Sequence, residues 1–235
     1  MKAKIVVFAS ILFLSGINTS VAQEIITTRD MGLRAGVGLD YKPWKHYKLS
    51  LQQEIRTTNN SKQLDKLITD IGLMYEIDKQ FTIGGDLRYQ HKRQEDYSYS
   101  NDIRYNLDLK FKQKINDSFR FKYRMRYQQK FGNLLTSDRD NIETTDTNFR
   151  NKFEVEYRLN NHLYYVNAEL FRKYKQYQKP YFNKVRYYLG KEFKYKNGKI
   201  NLCLGYEKNI GDWSYPHRFY FIETNYTFKR KLKQH

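Results

Sequence analysis

The sequence predicts an all-β protein: a transmembrane, antiparallel, up-and-down β-barrel of about 10–12 strands behind a cleavable export signal. Three observations carry that expectation. Apolar and polar residues alternate with a period of two from near residue 31 to residue 228, the repeat of a strand whose successive side chains face opposite sides. Short and long connections take turns between the alternating rows, as periplasmic turns and external loops do in an outer-membrane barrel. Aromatic residues gather near both kinds of connection, and the two membrane–water interfaces favour such bands.

In the N-terminal stretch MKAKIVVFASILFLSGINTSVAQ, Lys2 and Lys4 precede an apolar core from Ile5 to Leu14. Ser20-Val21-Ala22 then offers a small-residue cleavage site before Gln23, which is not a lipoprotein cysteine. This is the order of a secretory signal, and its apolar core is too short to span a bilayer. The organisation therefore reads as signal peptide 1–22 and barrel domain 23–235, with the chain placed in the cell outer membrane. No later apolar run reaches the roughly 20 residues that a membrane helix requires. A mean hydropathy of −0.87 still permits a barrel, because only alternate residues face lipid.

The first apolar row is Met31, Leu33, Ala35, Val37, Leu39 and Tyr41, with Gly32, Arg34, Gly36, Gly38 and Asp40 between them. Rows follow at 47–55, 67–77, 81–89, 103–111, 119–131, 149–159, 164–170, 185–193, 200–206 and 220–228. In FRFKYRMRYQQKF (119–131), Phe119, Phe121, Tyr123, Met125, Tyr127 and Phe131 take one face, while Arg120, Lys122, Arg124, Arg126 and Lys130 take the other. Short turns are expected at 42–46, 78–80, 116–118, 160–162 and 196–199, the last carrying the hairpin signal Asn197-Gly198. Longer connections are expected at 58–66, 91–101, 132–148, 173–182 and 208–217. The rows number about eleven, of roughly ten residues each. Bacterial single-chain barrels favour even counts, so ten or twelve strands are expected.

The hairpin GLRAGVGLDYKPWKHYKLSLQQEIR (32–56) and its near-repeat DIGLMYEIDKQFTIGGDLRYQHK (70–92) share a pattern. A glycine-rich strand and a Tyr lead into a short Lys-rich turn, then an apolar strand ending in acid and Arg. In this the chain resembles the domain-of-unknown-function family 2490, outer-membrane proteins of Bacteroidetes-type bacteria. The resemblance implies an outer-membrane barrel and brings no catalytic residues. Barrels of this kind end on an aromatic read by the insertion machinery, which points to Tyr226 and Phe228, with the basic tail KRKLKQH beyond.

The formal charge is +18, and +16 without the two signal lysines. In a soluble intracellular protein that balance would suggest nucleic acid. Export removes nucleic acid from the partners and points to outer-membrane lipid, lipopolysaccharide and small anionic solutes. The single Cys203 excludes an intramolecular disulfide framework. The five histidines, His46, His91, His162, His217 and His235, show no ligand spacing, so no metal or other cofactor is expected. Ser50 and Thr82 are lone inward hydroxyls without an inward His in their rows, which does not favour an enzyme.

The most informative feature is interior charge. Arg104, Lys110, Lys112, Lys114, Arg120, Lys122, Arg124 and Arg126 crowd one hairpin as a lumen-lining basic stripe. Asp102 and Asp108 are its local acidic partners, with Glu154 and Glu156 on the next row. Two readings follow: a barrel filled by interlocking ion pairs, because uncompensated buried charge is expensive, or a narrow water-filled path favouring anions. Readings from other classes are an outer-membrane lipid-modifying enzyme and a surface-binding barrel acting through its long loops.

Overall fold

Alternation becomes backbone pairing along the whole described chain. The computed structural model describes residues 28–94, 98–131, 146–174, 179–210 and 217–231. The signal segment, most of the 132–148 loop and the tip of the basic tail lie outside these residues. Eleven strands form: β1 (Thr28–Lys42), β2 (Tyr47–Thr58), β3 (Gln63–Glu76), β4 (Phe81–Arg93), β5 (Tyr99–Lys114) and β6 (Phe119–Phe131) on one side of the chain's midpoint. β7 (Asp146–Leu159), β8 (His162–Tyr174), β9 (Tyr181–Tyr195), β10 (Gly198–Asn209) and β11 (His217–Lys231) follow. Each pairs with its sequence neighbour, and β1 closes the barrel against β11.

The expectation of an even count is therefore corrected. With eleven strands the closing pair runs parallel, in continuous register from Thr28 beside His217 to Lys42 beside Lys231. Every other pair is antiparallel. Glycine makes that seam close: a side chain at Gly36 would collide with the Asn225 amide on β11.

The strands are also longer than the expected ten residues, at 12 to 16. The extra length comes from the connections at 58–66, 91–101 and 173–182, where pairing continues past the apolar rows. The first shrinks to Asn59–Lys62, with Asn59, Asn60 and Ser61 in the left-handed region, and Asp30 accepting hydrogen bonds from the Asn59 and Asn60 amides. At the opposite end, the amides of Phe81 and Gln80 donate to Asp78 and hold its carboxyl below the usual range. The β9–β10 hairpin turns one residue earlier than Asn197-Gly198 suggests. Lys196 takes the positive φ of 47°, and Gly198 already pairs with Tyr195. Gly198 is required by space instead, since a Cβ there would press on the Thr227 carbonyl and the Tyr226 ring.

The two faces differ in chemistry. Val37, Leu51, Ile71, Leu87, Leu107, Val166, Leu189 and Leu204 are all exposed on the outside. Inside, Arg34, Glu54, Asp102, Asn106, Glu156 and Glu169 are buried. A soluble barrel would invert this arrangement; an apolar outside around a polar inside is that of a membrane barrel.

Two aromatic belts frame the aliphatic band. At the turn end, Tyr47–Tyr75, Phe81–Phe111 and Phe119–Tyr157 meet across strands at 4.9–5.2 Å between ring centroids. Lys191 reaches into this belt, over Tyr164 and Phe193. At the loop end, Tyr105, Tyr127, Phe131 and Phe149 form a ladder, and Tyr187, Tyr206 and Tyr220 form another. Cross-strand aromatic pairs of this type stabilise a sheet beyond their area.

Candidate lumen site

Because β6 alternates strictly, all its cations enter the barrel, where they meet carboxylates from four other strands. Arg120 and Lys122 reach Glu156 on β7, and Lys122 also reaches Glu154. Arg124 crosses to Glu169 on β8 at 2.6 Å. Arg126 is bidentate on Asp108 of β5, at 2.6 and 2.8 Å, and its Nη2 also donates to Asp86 of β4 at 2.9 Å. Lys130 pairs with Asp102 at 2.9 Å. Planar guanidinium forks match carboxylates in this way, and charged hydrogen bonds are the strong ones.

Glu169 is the hub of the network. It is 1% exposed and accepts from Arg150 Nε and Nη2 at 3.1 and 3.0 Å and from Arg124 at 2.6 Å, with Arg186 at 3.9 Å. Arg186 in turn holds Glu207, which also takes Lys184. Phe171 packs beneath this group, within 4.5 Å of the Arg150 guanidinium and 5.0 Å of that of Arg186.

Around Ile68 and Asn106 the interior is filled: both are 1% exposed, and Asn106 donates to Asp86. Beside this packing a cavity of about 810 Å³ remains, its wall running from Leu163, Glu192 and Lys199 near the short turns to Lys184 and His217 near the loop end. Fifteen lysines and arginines line it against eight carboxylates. Asp70, Asp86, Asp102 and Asp108, packed behind this wall on Arg88, Arg126 and Lys130, still leave the cations ahead.

The strand register adds to the imbalance. It sets like charges directly opposite one another at Arg34/Arg56, Arg88/Arg104, Arg104/Lys130, Lys110/Arg124, Arg124/Lys152 and Arg126/Arg150. Like charges so placed are destabilising.

The stripe named from sequence divides along the barrel height. Arg104, Lys122, Arg124 and Arg126 line the cavity. Lys110 lies behind it, between Asp108 and the Met74 sulfur. Lys112 and Lys114 are exposed at the turn end, with Lys114 on the fully exposed Asp117, because the lumen has ended by that level. Arg120 lines a smaller cavity there of about 250 Å³, which shares Glu156 and Leu163 with the main one. Tyr226 and Phe228 face outward, rings 4.5 Å apart, and β11 continues three residues past Phe228.

Residues that sequence reasoning did not single out are Arg34, Arg56, Arg150 and Arg186, together with the inward rings Phe171, Phe219 and Phe221. The cations do alternate with apolar rows, so the period-two signal was available for them. The inward rings carry no such signal, since both faces of FYFI (219–222) are apolar and Phe171 directly follows the outward Leu170.

Phe221 is 2% exposed, and a Cβ at Gly205 would collide with its ring. Gly205→Ala is expected to lower stability by about 1–3 kcal/mol, as overpacking does. The check is the urea midpoint of the refolded variant; an unchanged midpoint would mean that the ring moves freely.

Among the described residues no group of three His, Cys, Asp or Glu is placed to hold a metal ion, and no helix is long and apolar enough to cross a membrane. The Ser50 hydroxyl lies 3.5 Å from the Gly72 carbonyl, and His91 stacks on Tyr99.

A family described as "Protein of unknown function (DUF2490)" matches residues 35–219. No curated protein matches the chain. Among solved structures, the β-domain of the Bordetella autotransporter BrkA is similar, at 12% identity and a TM-score of 0.43, covering 80% of this chain and 83% of that one.

Proposed function

The chain belongs to the DUF2490 family, of unknown function, and from that premise we propose that it is an integral outer-membrane barrel admitting small anions to a cation-lined lumen. The cavity wall carries the reading: fifteen cations face eight carboxylates along nearly the whole barrel height. In a narrow water-filled path, such an excess favours anions over cations. The apolar outside and its two belts support a bilayer as the surroundings, with lipid against Leu189 and Leu204 and headgroups, including those of lipopolysaccharide, at the aromatic rims. Tyr226 and Phe228, side by side on the last strand, are the pair we assign to the barrel-insertion machinery.

A planar bilayer tests the passage. With KCl asymmetric across it, the refolded protein is expected to show a reversal potential of the sign set by chloride. Lys130→Gln with Lys152→Gln, side chains 30% and 25% exposed, should move that potential toward zero. Silence from a protein that had folded and inserted would favour the second reading, a barrel filled by ion pairs. The closed packing around Asp86, Asn106, Asp108 and Arg126 supports that alternative.

A further inference from the structure

Some cations of the cavity wall lack a carboxylate in hydrogen-bonding reach. Arg34 is 5% exposed; its Nη1 stands 3.8 Å from Glu223, and neither Nε nor Nη1 has a hydrogen-bond partner among the described residues. Leaving buried donors unpaired is costly. The side chain is nonetheless held in place, because its guanidinium carbon lies 3.4 Å over the Phe221 ring. Stacking fixes the plane of the fork and leaves its N–H edge for another partner.

Arg104 repeats the situation. One Nη donates to Gln90 at 3.1 Å, its Nε has no partner, and Arg88 and Lys130 stand directly opposite on the neighbouring strands. Arg56 lies within electrostatic reach of both Arg34 and Arg104, and all three line the same cavity.

We infer that this arginine wall is a binding site for a compact multivalent oxyanion of the phosphate or phosphate-ester class, an inference that rests on the lumen being open to small anions. Three guanidinium groups stand against two glutamates, Glu54 on Arg56 and, beyond hydrogen-bonding reach, Glu223 3.8 Å from Arg34. With cations ahead over the whole cavity wall, a guest of more than one negative charge is favoured. Forked donors call for oxygen acceptors, which chloride lacks. A volume of about 810 Å³ falls within the range of small-molecule sites, roughly 300–1,000 Å³. The polar wall suits a charged guest.

Pyrophosphate is the probe, titrated calorimetrically into the refolded full barrel in detergent at fixed ionic strength. It is expected to bind saturably, while chloride at the same ionic strength does not. Arg34→Gln combined with Arg104→Gln is expected to weaken binding by about tenfold or more. Arg120→Gln, at the turn end on Glu156, is expected to change it by less than about twofold. Equal weakening by both would mean diffuse attraction and would overturn the site, as would the lack of saturable binding. If the double variant does not fold, Arg104→Gln alone decides, and an unchanged affinity overturns the proposal. An anion-selective reversal potential without pyrophosphate binding would sink the site and spare the passage. Pyrophosphate binding by a barrel that conducts nothing would do the reverse.

Discussion

Glu169→Gln is expected to destabilise the barrel by about 3–5 kcal/mol, the cost of leaving buried charge without its partner. One carboxylate, 1% exposed, serves Arg124, Arg150 and Arg186 from three different strands. The amide keeps the shape and one acceptor oxygen but removes the charge, so three guanidinium groups face one another in a space already short of acid. Glu192→Gln is the control. Its partner is Lys199 and both side chains are 26% exposed, where an ion pair contributes only about 0–1 kcal/mol. Urea unfolding of both variants in lipid vesicles, followed by tryptophan fluorescence, measures the difference. Similar losses for the two would mean that the centre of the lumen is as wet as its rim, and that the network there is not structural.

The contrast between these glutamates shows which features were legible in the sequence. Outward residues were, because a strand repeats every two residues and Leu107, Leu109 and Phe111 announce their face without any partner. The eleven rows were legible too; an even count was expected only because antiparallel closure needs one, and here β1 and β11 meet in parallel. Turn register slipped by one residue at Lys196-Asn197, since Gly198 answers to the Tyr226 ring next to it rather than to a positive φ. The charge network was legible only in part. Asp108 faces Arg126 on the adjoining strand of a hairpin, so proximity in sequence suggests the pair. Arg124 and Glu169 are 45 residues apart, and Arg34 meets Glu223 only because the barrel closes. Such pairs depend on a register accumulated over many strands, which alternation alone does not encode. Phe171 and Phe221 stayed hidden for another reason: they place rings on a face that binary patterning reserves for polar groups.

Leu204→Arg is expected to cost about 2–4 kcal/mol in a bilayer, the penalty for a cation on the lipid face near the midplane. Leu204 lies in the middle of β10, with Leu189 opposite on β9 and Ile222 on β11, and the three are 57%, 59% and 47% exposed. In water, exchanging an exposed leucine for arginine would change little, because surface substitutions away from special features stay within about 0.5 kcal/mol. The prediction therefore separates two environments for the same fold. Tyr47→Arg supplies the depth control: Tyr47 belongs to the turn-end belt, beside Trp44 and Tyr75, where an arginine reaches headgroups and costs about 0–1 kcal/mol. Reversible unfolding from vesicles measures both variants against the parent. A large loss for Leu204→Arg with a small one for Tyr47→Arg requires a hydrocarbon slab centred on the aliphatic band. Equal and small losses would mean that the band meets water, and the same apolar surface would then have to be covered by protein, because a contiguous exposed patch of that size marks an interface.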